Sequence, residues 1–184
     1  MDKKVIKKVL RESVGDKITR LAVFDFDGTL LDTPLPTDEN KEIYKEKTGE
    51  DWPSKGWWSR PETLNQDIFD IPVIKDVISD YKKEKATPNT MVIMLTGRIQ
   101  KLSSYVEAVL ASKGLKFDGY FYNTGGSTLD NKIHTMESIL KQHPTINQIN
   151  CWDDRLEHIP HFQAWGDNLK GVDFEITIVE SGHH

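Results

Sequence analysis

This sequence of 184 residues has few of the features that mark secreted, membrane-spanning or nucleic-acid-coating proteins. Its single cysteine, Cys151, excludes an internal disulfide and favours a reducing compartment. No apolar run approaches the length of a membrane span, and the first residues lack the apolar core of a signal peptide. We therefore expect a cytoplasmic protein without a membrane partner. The net charge of −5 argues against a broad nucleic-acid surface but still allows a local basic groove.

Length and composition favour one ordinary globular domain. A chain of 184 residues can build a single sizeable core, and its contents of 37% hydrophobic and 29% charged residues are usual. The sequence contains no internal repeat and no low-complexity tract. We expect residues 1–184 to form one domain with a small insert at about 32–70.

Short apolar runs alternate with segments of helical periodicity. Strands are predicted near 19–26, 91–96, 119–123, 147–152 and 174–179. Helices are predicted near 72–85, 99–113, 132–142 and 156–164, with an amphipathic helix over 1–17 and a short helix at 38–48. This alternation predicts an α/β fold, a Rossmann-like three-layer sandwich around a mostly parallel five-stranded sheet.

Residues 32–70, called the insert below, interrupt the alternation with four prolines and three tryptophans. Two of the tryptophans, Trp57 and Trp58, are adjacent. Such rings can stack on a nucleobase or on a phosphotyrosine ring. They can equally pin the insert to the core, and we expect this role for one of the pair.

Two carboxylates one residue apart follow the first apolar strand. Residues i and i+2 of a strand point the same way, so Asp25 and Asp27 are expected to project together from its carboxyl end. Like charges this close favour a cation between them, and Mg²⁺ prefers oxygen ligands. Gly28 then allows a tight turn. A simple Asp-Gly turn would explain Asp27 and Gly28 but not a second acid at the end of an apolar strand.

The stretch Asp-Phe-Asp-Gly-Thr-Leu at 25–30 resembles the first motif of the haloacid dehalogenase (HAD) superfamily of phosphotransferases. The other motifs follow in the family's order. A second apolar strand ends in Thr-Gly-Arg at 96–98, Lys132 opens a helical pattern, and a later strand ends in Asp-Asp-Arg at 153–155. The resemblance covers most of the chain and implies the HAD fold.

Further stretches resemble one branch of that superfamily, the RNA-repair-like one. They are Leu-Thr-Gly-Arg at 95–98, Gly-Trp-Trp-Ser-Arg-Pro at 56–61, and Asp-Asp-Arg with His158 behind it. The Asp-Asp-Arg ending is also similar to the 3′-phosphatase domain of polynucleotide kinase-phosphatase. The small insert implies an open site of the kind that takes bulky substrates.

The resemblance implies a catalytic set of four residues. Asp25 would be the nucleophile that forms an aspartyl-phosphate, and Asp27 the general acid and base. Thr96 and Lys132 would contact the phosphoryl group. The start of a helix is an unfavourable position for a cation, so the placement of Lys132 there favours a functional role. Lys116 is the alternative candidate for this role. Thr96 and the glycine after it can also be read as a turn that ends a strand.

The same resemblance implies a Mg²⁺ site made by Asp25, the carbonyl of Asp27, and Asp154 with Asp153 in support. Spacing alone does not separate Asp153 from Asp154. One of them can instead cap the next helix, but a cap needs only one acid.

Other residues are candidate substrate contacts. They are Thr29, Gly97, Arg98, Trp57, Trp58 and Arg155. A guanidinium fork suits phosphate, yet both arginines can pair with Asp153 or Asp130 instead. His158 and His161 lie one helical turn apart, where packing or surface roles are favoured over metal binding.

These features together predict a Mg²⁺-dependent phosphomonoesterase that acts on a phosphorylated macromolecule, with a nucleic-acid 3′-phosphate end preferred. A protein phosphatase acting on phosphotyrosine or another phosphoprotein is the first alternative. A module that binds phosphorylated ligands without turnover is the second, although the complete set of motif residues argues against it.

Overall fold

A computed structural model of the protein describes residues 17–181. The amphipathic helix predicted over 1–17 lies almost wholly outside this range, as do the two terminal histidines. The strands in this range are β1 (Arg20–Phe24), β2 (Thr90–Ile99), β3 (Gly119–Asn123), β4 (Gln148–Asp153) and β5 (Asp173–Ile178). The α-helices are α1 (Asp38–Thr48), α2 (Lys75–Ala86), α3 (Ser103–Ser112), α4 (Thr128–Gln142) and α5 (Ile159–Asp167). Short 3₁₀ turns cover Pro61–Leu64 and Gln100–Leu102.

The strands form a five-stranded sheet in the order β3-β2-β1-β4-β5, and every neighbouring pair is parallel. The chain runs from β1 outward to β2 and β3, and then returns to place β4 on the other side of β1. The direction of winding therefore reverses beside β1. Open α/β sheets bind ligands at such a point, beyond the carboxyl ends of the strands.

Alternate residues of the central strands face two separate cores, as expected for a sheet covered on both sides. Ala22 and Phe24 of β1 join a core with α2, α3 and the insert. Leu21 and Val23 join a second core with α4 and α5. The predicted three-layer α/β sandwich is confirmed. The alternation also means that position 25 faces α4.

Aromatic side chains of the insert join the core on one face of the sheet, and they also pack against one another. Trp57 lies against Trp52 and Phe69, with ring centroids 4.4 and 5.8 Å apart respectively. The short helix predicted at 38–48 is present as α1, because Thr37 caps its start and Gly49 ends it at φ 77°. No helix among residues 17–181 is both long and apolar enough to cross a membrane.

Two boundaries differ from the sequence prediction in ways that matter for the site. Helix α4 begins at Thr128 rather than near 132, because the Ser127 hydroxyl caps it by accepting from the Asp130 amide at 3.1 Å. Strand β2 continues to Ile99, so Thr96 is not a turn that ends a strand. Lys132 therefore lies a full turn inside α4, and the expectation that the helix dipole opposes it was wrong.

Candidate active site

The carboxyl ends of β1 and β4 bring two acids side by side. Phe24 is in register with Trp152, and their rings stack 4.2 Å apart. The residue that follows each of them is an aspartate: Asp25 directly after β1 and Asp153 at the end of β4. The Asp25 amide donates to the Trp152 carbonyl at 3.0 Å. Gly28 then reverses the chain at φ 70°, as predicted.

Lys132 reaches across from α4 and contacts both acids. Its ammonium donates to Asp25 Oδ1 and to Asp153 Oδ2, each at 2.8 Å. The lysine is 2% exposed, so this ion pair is not screened by bulk water. Asp25 lies on the same face of the sheet as Val23, and α4 covers this face. Lys132 of α4 is therefore close enough to contact Asp25.

The electrostatics of this group favour an additional cation. Burial and the carboxylates of Asp153 and Asp154 raise the pKa of the Asp25 carboxyl, and Lys132 offsets this only in part. Burial lowers the pKa of the Lys132 ammonium, but Asp153 and Asp25 more than compensate and leave it above its usual value. Asp25, Asp153 and Asp154 each offer a carboxylate oxygen within 4.8 Å of the others. This donor set fits a hard divalent cation such as Mg²⁺.

The two acids after β4 have different surroundings. Asp153 receives Lys132 on one oxygen and the Arg155 amide on the other, at 3.0 Å. Asp154 lines the cavity described below, and its carboxylate accepts from Ser181 at 3.2 Å. Neither acid caps helix α5, which begins after His158. The helix-cap interpretation was therefore wrong, and Asp154 is the one of the two acids that lines the cavity.

Asp27 is held by an arginine. Arg98 donates to both Asp27 oxygens, through Nε at 3.0 Å and Nη2 at 2.7 Å, and Thr33 adds its hydroxyl at 2.7 Å. The arginine side chain is 1% exposed. The alternative that Arg98 pairs with Asp153 or Asp130 was wrong, because strand β2 continues past Thr96 and carries residue 98 toward Asp27 instead.

Two threonines of the first and second motifs are buried. Thr29 is fully buried and donates to Asp25 Oδ2 at 3.0 Å. Its expected role as a substrate contact was wrong, because its hydroxyl is buried and donates to Asp25 instead. Thr96 is 2% exposed, and its hydroxyl accepts from the Arg98 amide at 3.1 Å.

Gly97 is required by a close approach between β2 and α4. A methyl group at this position would lie 2.6 Å from Thr128 Cγ2 and 2.8 Å from Thr128 Oγ1, both shorter than any ordinary contact. The absence of a side chain at 97 thus allows the start of α4 to pack against the end of β2. That packing sets the position of Lys132 one turn later.

A cavity of about 490 Å³ opens over these residues. Asp25, Asp27, Lys132 and Asp154 contribute to its lining. Apolar groups also border it, among them Trp58 and Ile99, each 39% exposed. The cavity thus combines charged groups with partly exposed apolar side chains, an arrangement that suits a phosphate carried on a larger group.

The two adjacent tryptophans have different positions. Trp58 borders the cavity, whereas Trp57 is 5% exposed and donates from its indole nitrogen to the Pro34 carbonyl at 2.8 Å. The prediction that one of the pair pins the insert to the core is met by Trp57. A substrate contact for Trp57 was wrong, because core residues of the insert surround its ring.

Of the remaining candidates, Arg155 lines the cavity and the two histidines do not contribute to its lining. Arg155 borders the cavity and pairs with Glu157 at 3.1 Å, not with Asp153 or Asp130 as the alternative proposed. His158 is buried edge-on against Phe162, whereas His161 is exposed, so the packing and surface roles fit. Burial lowers the pKa of His158.

Sequence reasoning missed three threonines that build the site. Thr33 contacts Asp27, Thr63 contacts Arg98, and Thr128 packs on Gly97. Thr33 lies three residues after the first motif, and this proximity could have indicated it from the sequence. Thr63 and Thr128 gave none, because each meets its partner only through the tertiary fold.

Comparisons with known proteins agree with the family resemblance. The model of the HAD domain family 1 in Swiss Army Knife RNA repair proteins matches residues 33–183. An uncharacterized protein of Saccharomyces cerevisiae, YMR265C, is 26% identical over 175 residues. That alignment covers 83% of this chain but only 38% of the yeast protein, so the chain spans well under half of this relative.

Two solved structures share the fold. A chain in the structure of a Pnkp1/Rnl/Hen1 complex matches with a TM-score of 0.54 and 15% identity, over 89% of this chain and 47% of that one. The haloacid dehalogenase-like hydrolase SP0104 from Streptococcus pneumoniae matches with a TM-score of 0.50 and 14% identity, over 87% and 94% of the two chains. At these identities the likeness shows the fold.

Proposed function

Because this chain belongs to the HAD domain family 1 in Swiss Army Knife RNA repair proteins, we propose that it is a Mg²⁺-dependent phosphatase that acts on phosphorylated nucleic-acid ends. One observation carries the proposal. Lys132, which lines the cavity, lies 2.8 Å from the carboxylates of both Asp25 and Asp153, and Asp154 offers a carboxylate oxygen close to theirs. This arrangement offers a nucleophile, a fixed cation and the ligands of a second cation.

Asp25 is the proposed nucleophile. Its oxygen forms a bond to phosphorus as the bond from phosphorus to the substrate oxygen breaks, which gives an aspartyl-phosphate. Asp27 gives a proton to the departing oxygen and later takes one from the water that attacks phosphorus. As the water oxygen bonds to phosphorus, the bond from phosphorus to the Asp25 oxygen breaks, which releases inorganic phosphate and restores the carboxylate. Thr29 and Lys132 hold the Asp25 carboxylate in one orientation for this attack.

Charge stabilisation is the other requirement of phosphoryl transfer. Lys132 and Thr96 would contact oxygens of the transferring group. A Mg²⁺ ion held by Asp25, Asp154 and the Asp27 carbonyl, with Asp153 in support, would neutralise the remaining negative charge.

Residues 1–184 would form one domain, with the insert as a small lid beside this site.

A nucleic-acid 3′ end is the proposed substrate. The family to which the chain belongs is found in RNA repair proteins, and the cavity has an exposed indole, Trp58, on which a base can stack. Arg155, whose side chain is 43% exposed at the rim, is placed to meet a backbone phosphate.

A turnover screen tests the substrate class. Oligonucleotides with a 3′- or a 5′-phosphate, phosphotyrosine peptides and p-nitrophenyl phosphate would be compared at equal concentration. We expect the highest kcat/KM on the 3′-phosphorylated oligonucleotide. A higher value on the peptides would assign the protein to phosphoprotein substrates, and binding without turnover of any substrate would assign it to phospho-ligand recognition.

Removal of divalent metal should abolish activity. We expect no turnover in EDTA and recovery with Mg²⁺. Three buried carboxylates repel an anionic phosphate, and a divalent cation between them offsets this repulsion. Ca²⁺ should inhibit, since the larger ion takes more oxygens and engages the one that must attack. Phosphate release measured across a metal titration checks this, and full activity in EDTA would contradict the metal assignment.

Trp57 and Trp58 should respond differently to truncation. Trp58→Ala should cost the oligonucleotide about 1–3 kcal/mol of binding, the usual range for base stacking, and leave p-nitrophenyl phosphate nearly unaffected. Trp57→Ala should instead lower stability by about 3–5 kcal/mol, because it empties a packed site. Steady-state kinetics and thermal unfolding of both variants separate these effects. If Trp58→Ala lowered activity on both substrates equally, Trp58 would not determine substrate specificity.

A further inference from the structure

Arg98 joins the insert to the catalytic edge of the sheet. Its Nε and Nη2 donate to Asp27, while its Nη1 donates to the Trp58 carbonyl at 3.1 Å and to the Thr63 hydroxyl at 2.7 Å. Trp58 and Thr63 both belong to the insert. The Arg98 guanidinium thus donates hydrogen bonds to Asp27, which follows β1, and to two acceptors of the insert.

The surroundings of Arg98 make this link rigid. The side chain is 1% exposed, and its guanidinium carbon lies 5.3 Å from the centre of the Trp58 ring and 5.9 Å from that of Phe26. A buried guanidinium is costly unless its donors have partners, so each acceptor constrains where the others can lie. Moving the insert at Trp58 or Thr63 would therefore disturb the bonds that Arg98 makes to Asp27.

We infer that Arg98 is a positioning residue that couples the insert at Trp58 and Thr63 to the orientation of Asp27. The inference deepens the proposed function, since it concerns the acid and base of that same reaction. A substrate that engages Trp58 would stabilise the insert in its docked position, and through Arg98 would hold Asp27 where the leaving oxygen departs. A small substrate that does not touch Trp58 would lack this support.

Hydrogen exchange tests the coupling without any need for turnover. The amides of Arg60, Thr63 and Asn65 are hydrogen-bonded within the insert, and their exchange reports its docking. Asp27→Asn should speed their exchange. Arg98→Lys should do so as well, because a single ammonium nitrogen cannot span Asp27 and the insert as the separate nitrogens of the guanidinium do. Asp25→Asn is the matched control. It removes a neighbouring charge that contacts Thr29 and Lys132 rather than Arg98, so it should leave this exchange unchanged.

Kinetics test the effect on Asp27. Loss of acid positioning matters most for a basic leaving oxygen, so Arg98→Lys should lower kcat/KM on a 3′-phosphorylated oligonucleotide by about 100-fold. The loss on p-nitrophenyl phosphate, whose leaving oxygen needs little protonation, should be at least tenfold smaller, on the order of a few-fold. Thr63→Val keeps the size of a residue that is fully buried, and it should show the same pattern more weakly.

The outcomes separate the possible roles. Equal losses on both substrates, with weaker inhibition by inorganic phosphate, would place Arg98 on the phosphoryl group and overturn the inference. Exchange that is unchanged in Asp27→Asn, or raised equally in Asp25→Asn, would also overturn it. If the wild-type protein turns over neither substrate, the proposed function fails, and the exchange comparison still decides whether Arg98 couples the insert to Asp27.

Discussion

Asp25→Asn is expected to lower phosphatase activity by about 10⁴-fold or more, because a neutral amide cannot form the acyl-phosphate. The fold should persist. The amide oxygen can still accept from Lys132, and the substitution removes a carboxylate whose pKa burial and its acidic neighbours raise. We therefore expect a melting temperature no lower than that of the wild type. Phosphate release and thermal unfolding on the same preparation check both statements.

A control variant separates loss of the nucleophile from loss of a negative charge. Asp130 lies in the exposed first turn of α4, so Asp130→Asn should retain activity within a few-fold of the wild type. Activity in Asp25→Asn close to that of this control would rule out an aspartyl-phosphate at this position. A chemically trapped phosphate on Asp25 in the wild type would be the positive counterpart.

Lys132→Met is expected to lower both activity and stability. It leaves Asp25 and Asp153 buried without the cation that lies 2.8 Å from each, and breaking a buried ion pair typically costs about 3–5 kcal/mol. Mg²⁺ should restore part of this stability, because a divalent ion among the three acids replaces the missing charge. Denaturant unfolding with Mg²⁺ and with EDTA measures the two contributions.

Lys116, the rival lysine from the sequence, provides the matched control. Its side chain is exposed, and its contacts to Tyr81 use backbone atoms only. Lys116→Met should therefore leave stability, metal response and turnover close to those of the wild type. If Lys132→Met were as stable as Lys116→Met in EDTA, the ion pair would contribute little to the fold and its role would be confined to chemistry.

Local pattern was sufficient to predict the layered fold and the acids that follow β1 and end β4. The apolar runs ending in Asp25 and Asp153 are strands because their side chains alternate between two cores. A parallel sheet with helices on both faces follows from that pattern, since its strands must be buried on each side. The start of α4 and the end of β2 were harder to predict from the sequence. One depends on the Ser127 cap, and the other on a strand that continues through Gly97.

The partners of the charged residues required the tertiary structure. Asp27 with Arg98 and Lys132 with Asp153 are separated in sequence by 71 and 21 residues, and nothing in the local pattern chooses among acids at one sheet edge. Trp57 and Trp58 show the same limit. The two tryptophans are adjacent in the sequence, yet only the packing of the insert places one in the core and the other beside the cavity.

The sequence by itself determined the order of strands and helices, the family, and the residues that meet at the sheet edge. These depend on periodicity and on motifs that are local along the chain. Only the tertiary structure decided that Thr29 supports Asp25, that Arg98 spans Asp27 and the insert, and that Lys132 lies between two acids. The physical reason is that a buried charge takes its partner from whichever element packs against it, and that element is chosen by the fold of the whole chain.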